Sequence, residues 1–350
     1  MKGRVIALDR LGEREAAALI VDGVLQDLVI DPEDAAPRTG AIYRGIVDRP
    51  MKGQGGVFVK LPDGQSGFLR QVSGYTPGQS LLVQISGTAE PGKALPVTAR
   101  LLFKGRFAII TPGAPGLNIS RRIRDEDLRA DLDSLAQAGM EGAPRDLGLI
   151  LRSACEGADE AEIAEDILAM RDLAVAVLGD VDGKPELLVD GASAHETAWR
   201  DWTDPAPDEV DDGPGSFDRH GAHEMIEALL SPRVSLAAGA HVWIEPTRAL
   251  VAVDVNTGAD TTPAASLKAN IALARDLPRQ LRLRGLGGQV VVDFAPMPKK
   301  DRATLDQVLR AAFKGESAET SLSGWTTLGL YELVRKRDRM ALSDLIGATR

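Results

Sequence analysis

A single cysteine, four histidines, 4% aromatic residues and no apolar run long enough to cross a bilayer set the first limits on this 350-residue chain. The lone thiol, Cys155, excludes an intrachain disulfide framework and any zinc centre built from several thiolates of one chain. Residues Met1 to Leu11 lack the apolar core of a secretory leader, so a cytoplasmic protein without a membrane partner is expected. Positive charge is in deficit too, with 41 Lys and Arg against 51 Asp and Glu and a net charge of −10. Coating of nucleic acid by bulk electrostatics is thereby excluded, and any polyanion must be held by a local cluster of cations. What is present, 44% hydrophobic and 26% charged residues, describes an ordinary globular chain with room for two or three domains.

The first third of the chain reads as short strands. Arg4 to Leu8, Glu15 to Val21 and Val24 to Ile30 alternate, with Asp22-Gly23 as a hairpin signal. After a polar linker over 31–39, the stretches starting at Ala41, Gly56, Ser66 and Ser80 are closely spaced strands parted by turn residues, the pattern of a small oligonucleotide-binding barrel. Phe58 and Phe68 fall on different strands of that barrel, and Lys93 sits in the Pro91-Gly92-Lys93 loop. Exposed there, the rings would stack on bases and the lysine would hold a backbone phosphate; core packing of both rings is the competing account.

Leu101 to Ile110 continues as strand, followed by the basic segment Ser120-Arg121-Arg122 and a helix around Asp125 to Ala138. The apolar strand Gly148 to Leu151 ends in Arg152 and Ser153, a guanidinium and a hydroxyl able to grip one terminal phosphate. An ordinary strand end with a helix cap would look the same. The helical stretch 156–178, with Glu160, Glu162, Glu165 and Asp166, reads as a solvated acidic face, and Asp201 to Gly215 as a linker or long loop. His220 and His223 beside Glu224 have metal-pair spacing but lack a third ligand.

The chemistry concentrates further on. In Val251-Ala252-Val253-Asp254-Val255-Asn256 a buried-strand pattern is interrupted by a carboxylate and an amide two positions apart, hence on one face. Gln289-Val290-Val291-Val292-Asp293-Phe294 repeats the design. If the two strands are neighbours, Asp254, Asn256 and Asp293 converge into an oxygen-rich site suited to Mg2+; taken singly, each acid could equally be a strand-end turn residue. Between them a helix over 264–286 carries Lys268, Arg275, Arg279, Arg282 and Arg284, and Arg335 to Arg339 forms a second basic cluster, so positive charge is expected close to the two aspartates.

These residues, together with Arg279-Gln280-Leu281-Arg282-Leu283-Arg284-Gly285-Leu286-Gly287-Gly288, Tyr43-Arg44-Gly45, Ser66-Gly67-Phe68-Leu69 and Ile119-Ser120-Arg121-Arg122-Ile123, make the chain resemble the catalytic half of the ribonuclease E/G family. The resemblance runs through nearly the whole chain. It implies an α+β multidomain protein: a ribonuclease H-like subdomain (1–36 and a shortened 179–222) with an inserted OB-type barrel of the ribosomal-protein type (37–100), a 5'-sensor subdomain (101–178) and a deoxyribonuclease-like catalytic subdomain (223–345). The implied activity is Mg2+-dependent endonucleolytic cleavage of single-stranded RNA, favouring 5'-monophosphorylated ends and leaving a 5' phosphate and a 3' hydroxyl. Asp254 and Asp293 would ligate the metal with Asn256 in support. Phe58, Phe68, Lys93 and Arg337 would contact RNA, and Ile119, Arg152 and Ser153 would form the 5'-end pocket.

The family's cysteine pair that links protomers through zinc is missing, so a homo-oligomer is compatible with the sequence but a zinc-linked tetramer is not expected. Ser153 stands where the family has threonine, and Ala295-Pro296 where it usually has isoleucine and an acid. A catalytically weakened RNA-binding regulator of the same fold, and a metal nuclease acting on DNA, are the rival readings.

Overall fold

A computed structural model describes residues 3–33, 36–51, 53, 55–70, 72–89 and 92–347; Pro91 of the expected lysine loop lies outside them. The chain is a mixed α+β protein and divides into two compact units. The first comprises residues 1–23 and 29–214, the second 24–28 and 215–350. Among the described residues no helix is long and apolar enough to cross a membrane.

The first unit opens with β1 (Arg4–Leu11) and β2 (Arg14–Val21), an antiparallel hairpin, followed by β3 (Val24–Ile30), whose first five residues cluster with the second unit. Next, β4 (Ile42–Pro50), β5 (Gly56–Lys60), β6 (Ser66–Arg70), β7 (Ser80–Ile85) and β8 (Leu95–Thr98) form the expected barrel. Its order is β4-β5-β6-β8-β7, and pairing of β7 back onto β4 closes it. Closure needs close approach of strands, and Gly45 provides it: a Cβ there would stand 2.4 Å from a Val59 methyl. Val57, Val59, Leu69, Val83 and Val97 fill the interior.

A second small sheet follows, of β9 (Phe103–Lys104), β10 (Ala108–Pro112), β11 (Gly116–Ile119) and β12 (Leu147–Leu151), with α1 (Glu126–Gly139) and α2 (Glu160–Gly179) packed against it. The single strand expected from Leu101 to Ile110 is instead broken at Gly105 to Phe107. The carboxylate of Asp166 causes the break by accepting from the backbone N–H groups of Phe107 (2.8 Å) and Ala108 (2.9 Å), and a Cβ on Gly105 would collide with it. Glu160, Glu162 and Glu165 are exposed as expected; Asp166 is the exception on that helix.

The chain then returns to the barrel through β13 (Glu186–Val189), which pairs antiparallel with β4. Buried Arg44 ties this junction with ion pairs to Asp180 (2.6 Å) and Glu186 (3.0 Å). After α3 (Ala194–Asp201), capped by a Ser193–Glu196 capping box, the stretch read as a linker contains a strand. This is β14 (Glu209–Asp211), parallel to β1 with Val5 opposite Glu209. Its partner lies some two hundred residues away in sequence, which no local pattern reports.

The second unit begins with α4 (Ser216–Arg219) and α5 (Ala222–Leu230), where His223 packs edge-on against Phe217. A six-stranded sheet follows, of β15 (Arg233–Ser235), β16 (His241–Pro246), β17 (Val251–Asn256), β18 (Gly288–Asp293), β19 (Thr320–Trp325) and β20 (Tyr331–Arg335), in the order β15-β16-β17-β18-β20-β19. The β17–β18 pair is parallel; every other pair is antiparallel. Such a pair needs a crossover, supplied by α6 (Pro263–Leu283). Thr262 caps that helix, Pro263 starts it, and Ala269, Leu273, Leu277 and Leu281 form its apolar stripe.

Gly285 stops α6 in the left-handed region (φ 62°), with Leu286 N–H bonded to Leu281 O and Gly285 N–H to Arg282 O, a Schellman closure. A side chain there would strike Met340 O. Together with α7 (Arg302–Phe313), α6 covers the sheet face formed by Val242, Ile244, Val253, Val255, Val290, Val292, Tyr331 and Leu333. The short α8 (Leu342–Ile346) ends the described chain.

Candidate active site

Alternation along β17 and β18 decides where the suspected acids go. Val251, Val253 and Val255 face the core, as do Val290 and Val292, so Asp254, Asn256 and Asp293 project from the outer face. Asp254 and Asp293 are direct register partners of the parallel pair, and both are exposed. With strands about 4.8 Å apart, two carboxylates stand side by side on one surface. They occupy the carboxyl ends of the parallel strands, where open α/β sheets bind ligands, at the edge from which α6 departs.

Asn256 donates from its side-chain amide to Oδ2 of Asp254 at 2.7 Å, fixing one carboxylate oxygen. Among the described residues no donor or cation pairs with Asp293. Two adjacent carboxylates repel, and the donor set of two carboxylates and an amide oxygen fits a hard divalent cation such as Mg2+ that keeps several waters. The chain beyond Asp293 is held by a residue that sequence reading did not single out. Asn270 of α6, fully buried, donates to Ala295 O at 2.9 Å and accepts from Ala295 N–H at 3.0 Å. A polar residue inside the apolar stripe of α6 was the available signal.

Three arginines of the basic helix are committed elsewhere. Arg279 pairs with Asp276 (2.6 Å) and donates to Leu25 O; Arg282 pairs with Glu316 and donates to Gln26 O. Arg284 is buried, with its pKa lowered by desolvation to about 10, and donates to Gln280 and to Ser231 O. Arg335, 1% exposed, lies 3.1 Å from Glu316. These arginines lie towards the carboxyl end of α6, whereas the acids lie beside its amino end, so the expectation of positive charge close to the aspartates fails for them. Arg337 packs over Gly287 and Gly288, where a Cβ would strike it, and so sits at the far end of β18 from Asp293. Five residues of strand, roughly 16 Å, separate those ends.

On the barrel, Phe58 and Phe68 are register partners of β5 and β6, half-buried on the outer surface, with ring centroids 5.1 Å apart. Arg49 lies over Phe58 at 5.0 Å. Core packing is thus excluded for both rings, and Lys93 is exposed just before β8. The 5'-end residues are placed differently. Ile119 ends β11 and packs against the core of its sheet. The Arg152 guanidinium donates to the carbonyls of Gly105 and Arg200 and pairs with Asp201 at 2.7 Å. Burial would raise the Asp201 carboxyl, but Arg200 and Arg152 outweigh it and hold its pKa below the ordinary value. Ser153 Oγ donates to Asp204 at 2.5 Å and accepts from Arg122 at 3.1 Å. Both side chains expected to grip a phosphate are therefore engaged with internal carboxylates.

Comparison with known proteins gives the family of the chain. Residues 103–213 and 208–338 match the Ribonuclease E/G family. The chain is 28% identical to ribonuclease E of Nostoc sp. over 96% of its own length and 56% of that protein, and 27% identical to ribonuclease E of Synechocystis sp. over 96% and 57%. It is 28% identical to ribonuclease G of Escherichia coli over 94% of its own length and 79% of the relative. The chain thus spans little more than half of the two ribonuclease E relatives.

Proposed function

This chain belongs to the ribonuclease E/G family, and on that premise we propose that it is an endoribonuclease of RNA processing or decay, cutting single-stranded RNA with Mg2+ held by Asp254 and Asp293. One observation carries the reading: the two acids are register partners on the outer face, at the carboxyl ends of the parallel strand pair. Bound there, Mg2+ would supply the positive charge that neutralises a scissile phosphate and acidifies water for in-line attack. The protein's own share is positional. Asn256 holds one Asp254 oxygen, and Asn270 immobilises the backbone two residues beyond Asp293. The expected products carry a 5' phosphate and a 3' hydroxyl.

Phe58 and Phe68 stack bases on the barrel with Arg49 and Lys93 beside them, and Arg337 makes a further RNA contact. A 5' monophosphate enters at Arg122 and Ser153 by replacing Asp204, and at Arg152 by replacing Asp201, so the preference for such ends is conditional on displacing internal anions.

The test is a gel of 5'-monophosphorylated and 5'-triphosphorylated single-stranded RNA and of single-stranded DNA, each incubated with Mg2+ or with chelator. Mg2+-dependent cleavage of RNA, faster for the monophosphate, is the expected result. RNA bound but uncut in every lane would replace this reading with an RNA-binding regulator, and cleavage of DNA alone would replace it with a deoxyribonuclease.

A further inference from the structure

Across the outer face of the six-stranded sheet, register partners on four successive strands form one row: Arg233 on β15, Trp243 on β16, Asp254 on β17 and Asp293 on β18. Alternation sets the row, because Val234, Val242, Ile244, Val253 and Val292 all pack on the core side. Arg233 is exposed, and its guanidinium makes one long hydrogen bond, to Ser235 Oγ at 3.4 Å. Among the described residues it has no acidic partner, since an indole stands between it and Asp254. Trp243 is half-buried and braced edge-on by His241, the next outward residue of its strand, with ring centroids 6.5 Å apart. At about 4.8 Å per strand, the indole is one strand from the first acid and the guanidinium two.

An aromatic face and an uncommitted cation in line with a carboxylate pair are the parts list of a nucleotide subsite. We infer that Trp243 stacks on a base of the RNA strand next to the bond being cut and that Arg233 holds the phosphate beyond it. The inference rests on the nuclease reading and adds a specificity-determining pair to it. Stacking is tolerant of base identity, so the subsite fixes strand register and selects unpaired over duplex RNA. Charge complementarity points to nucleic acid as the occupant: the cation lies at one end of the row and the anionic pair, which would repel a phosphate without its metal, at the other.

Intrinsic fluorescence tests this without turnover. In chelator, a short oligoribonucleotide quenches the wild-type emission; Trp243→Phe, which leaves Trp199, Trp202 and Trp325 in place and an aromatic face for folding, abolishes that quench. Trp243→Ala weakens binding roughly 10-fold, with the loss in cleavage carried by KM, and Trp243→Phe recovers most of it. Arg233→Ala lowers the salt dependence of binding by about one phosphate contact. Quenching that persists in Trp243→Phe, or Trp243→Ala and Arg233→Ala proteins of wild-type melting temperature that bind and cut as wild type, would overturn the subsite. Wild-type protein that quenches but never cuts with Mg2+ would instead overturn the nuclease reading and leave the subsite standing.

Discussion

Each unit of the molecule places one pair of register partners on the outer side of a strand pair. On the barrel the pair is Phe58 and Phe68; on the six-stranded sheet it is Asp254 and Asp293. The backbone device is the same and the energetics are opposite. Two rings at 5.1 Å attract, worth about 0.5–1.5 kcal/mol beyond their burial, so the aromatic pair is complete in itself. Two carboxylates on neighbouring strands repel, so the acidic pair is complete only with a third, positively charged participant. On the proposed function, the self-satisfied pair serves as a binding platform at all times, whereas the repulsive one works only with a cation.

Neutralising one acid should break this contrast most severely. Asp293→Asn is expected to lower single-turnover RNA cleavage on the order of 10³-fold or more. In chelator the same variant should melt at or above the wild-type temperature, because repulsion is relieved. Wild type should gain about 2.7 kcal/mol in Mg2+ at 100 times its Kd, a gain that Asp293→Asn loses. Equal wild-type melts with and without Mg2+ would show the acids to be at ease side by side.

Removing a ring should do the reverse. Phe58→Ala is expected to weaken RNA binding roughly 10-fold, equally with Mg2+ and with chelator, in a filter or anisotropy titration. A metal-dependent effect at Phe58 would erase the distinction between the two pairs.

The smallest effect sharpens the comparison by reading the two units separately. Cys155, the chain's only thiol, is buried in the first unit, and desolvation raises its pKa to about 11. It stays neutral at pH 8 and should resist alkylation until that unit opens. Alkylation timed against loss of the Mg2+ response shows which unit unfolds first; labelling of the native protein within minutes would contradict the burial.

The barrel strands and the two acid-bearing strands were legible because their signals are local: period-two alternation, turn residues at short intervals, and a carboxylate ending an apolar run. The basic character of α6 was legible only as composition. What Arg282 does depends on Glu316 and on the backbone of Gln26, neither of which is near it in sequence. The same holds for β14, a three-residue strand that exists because β1 offers an edge, and for Ser153, whose hydroxyl is met by Asp204 from beyond α3. Arg233 and Trp243 escaped notice because β15 is too short to display a period. Their place becomes visible only once β16 is laid beside β17.

The parallel run of β17 and β18 has a further consequence for the order in which the protein comes into being. A hairpin could have brought two acids together in the time of a local turn, but these become neighbours only after all of α6 has been made and seated. During synthesis the barrel, with its two rings, is finished while Asp293 is still unbuilt. On the proposed function, a chain stalled or misfolded at the crossover is left with a means of holding RNA and no means of cutting it. The aromatic pair is complete before the acidic pair exists.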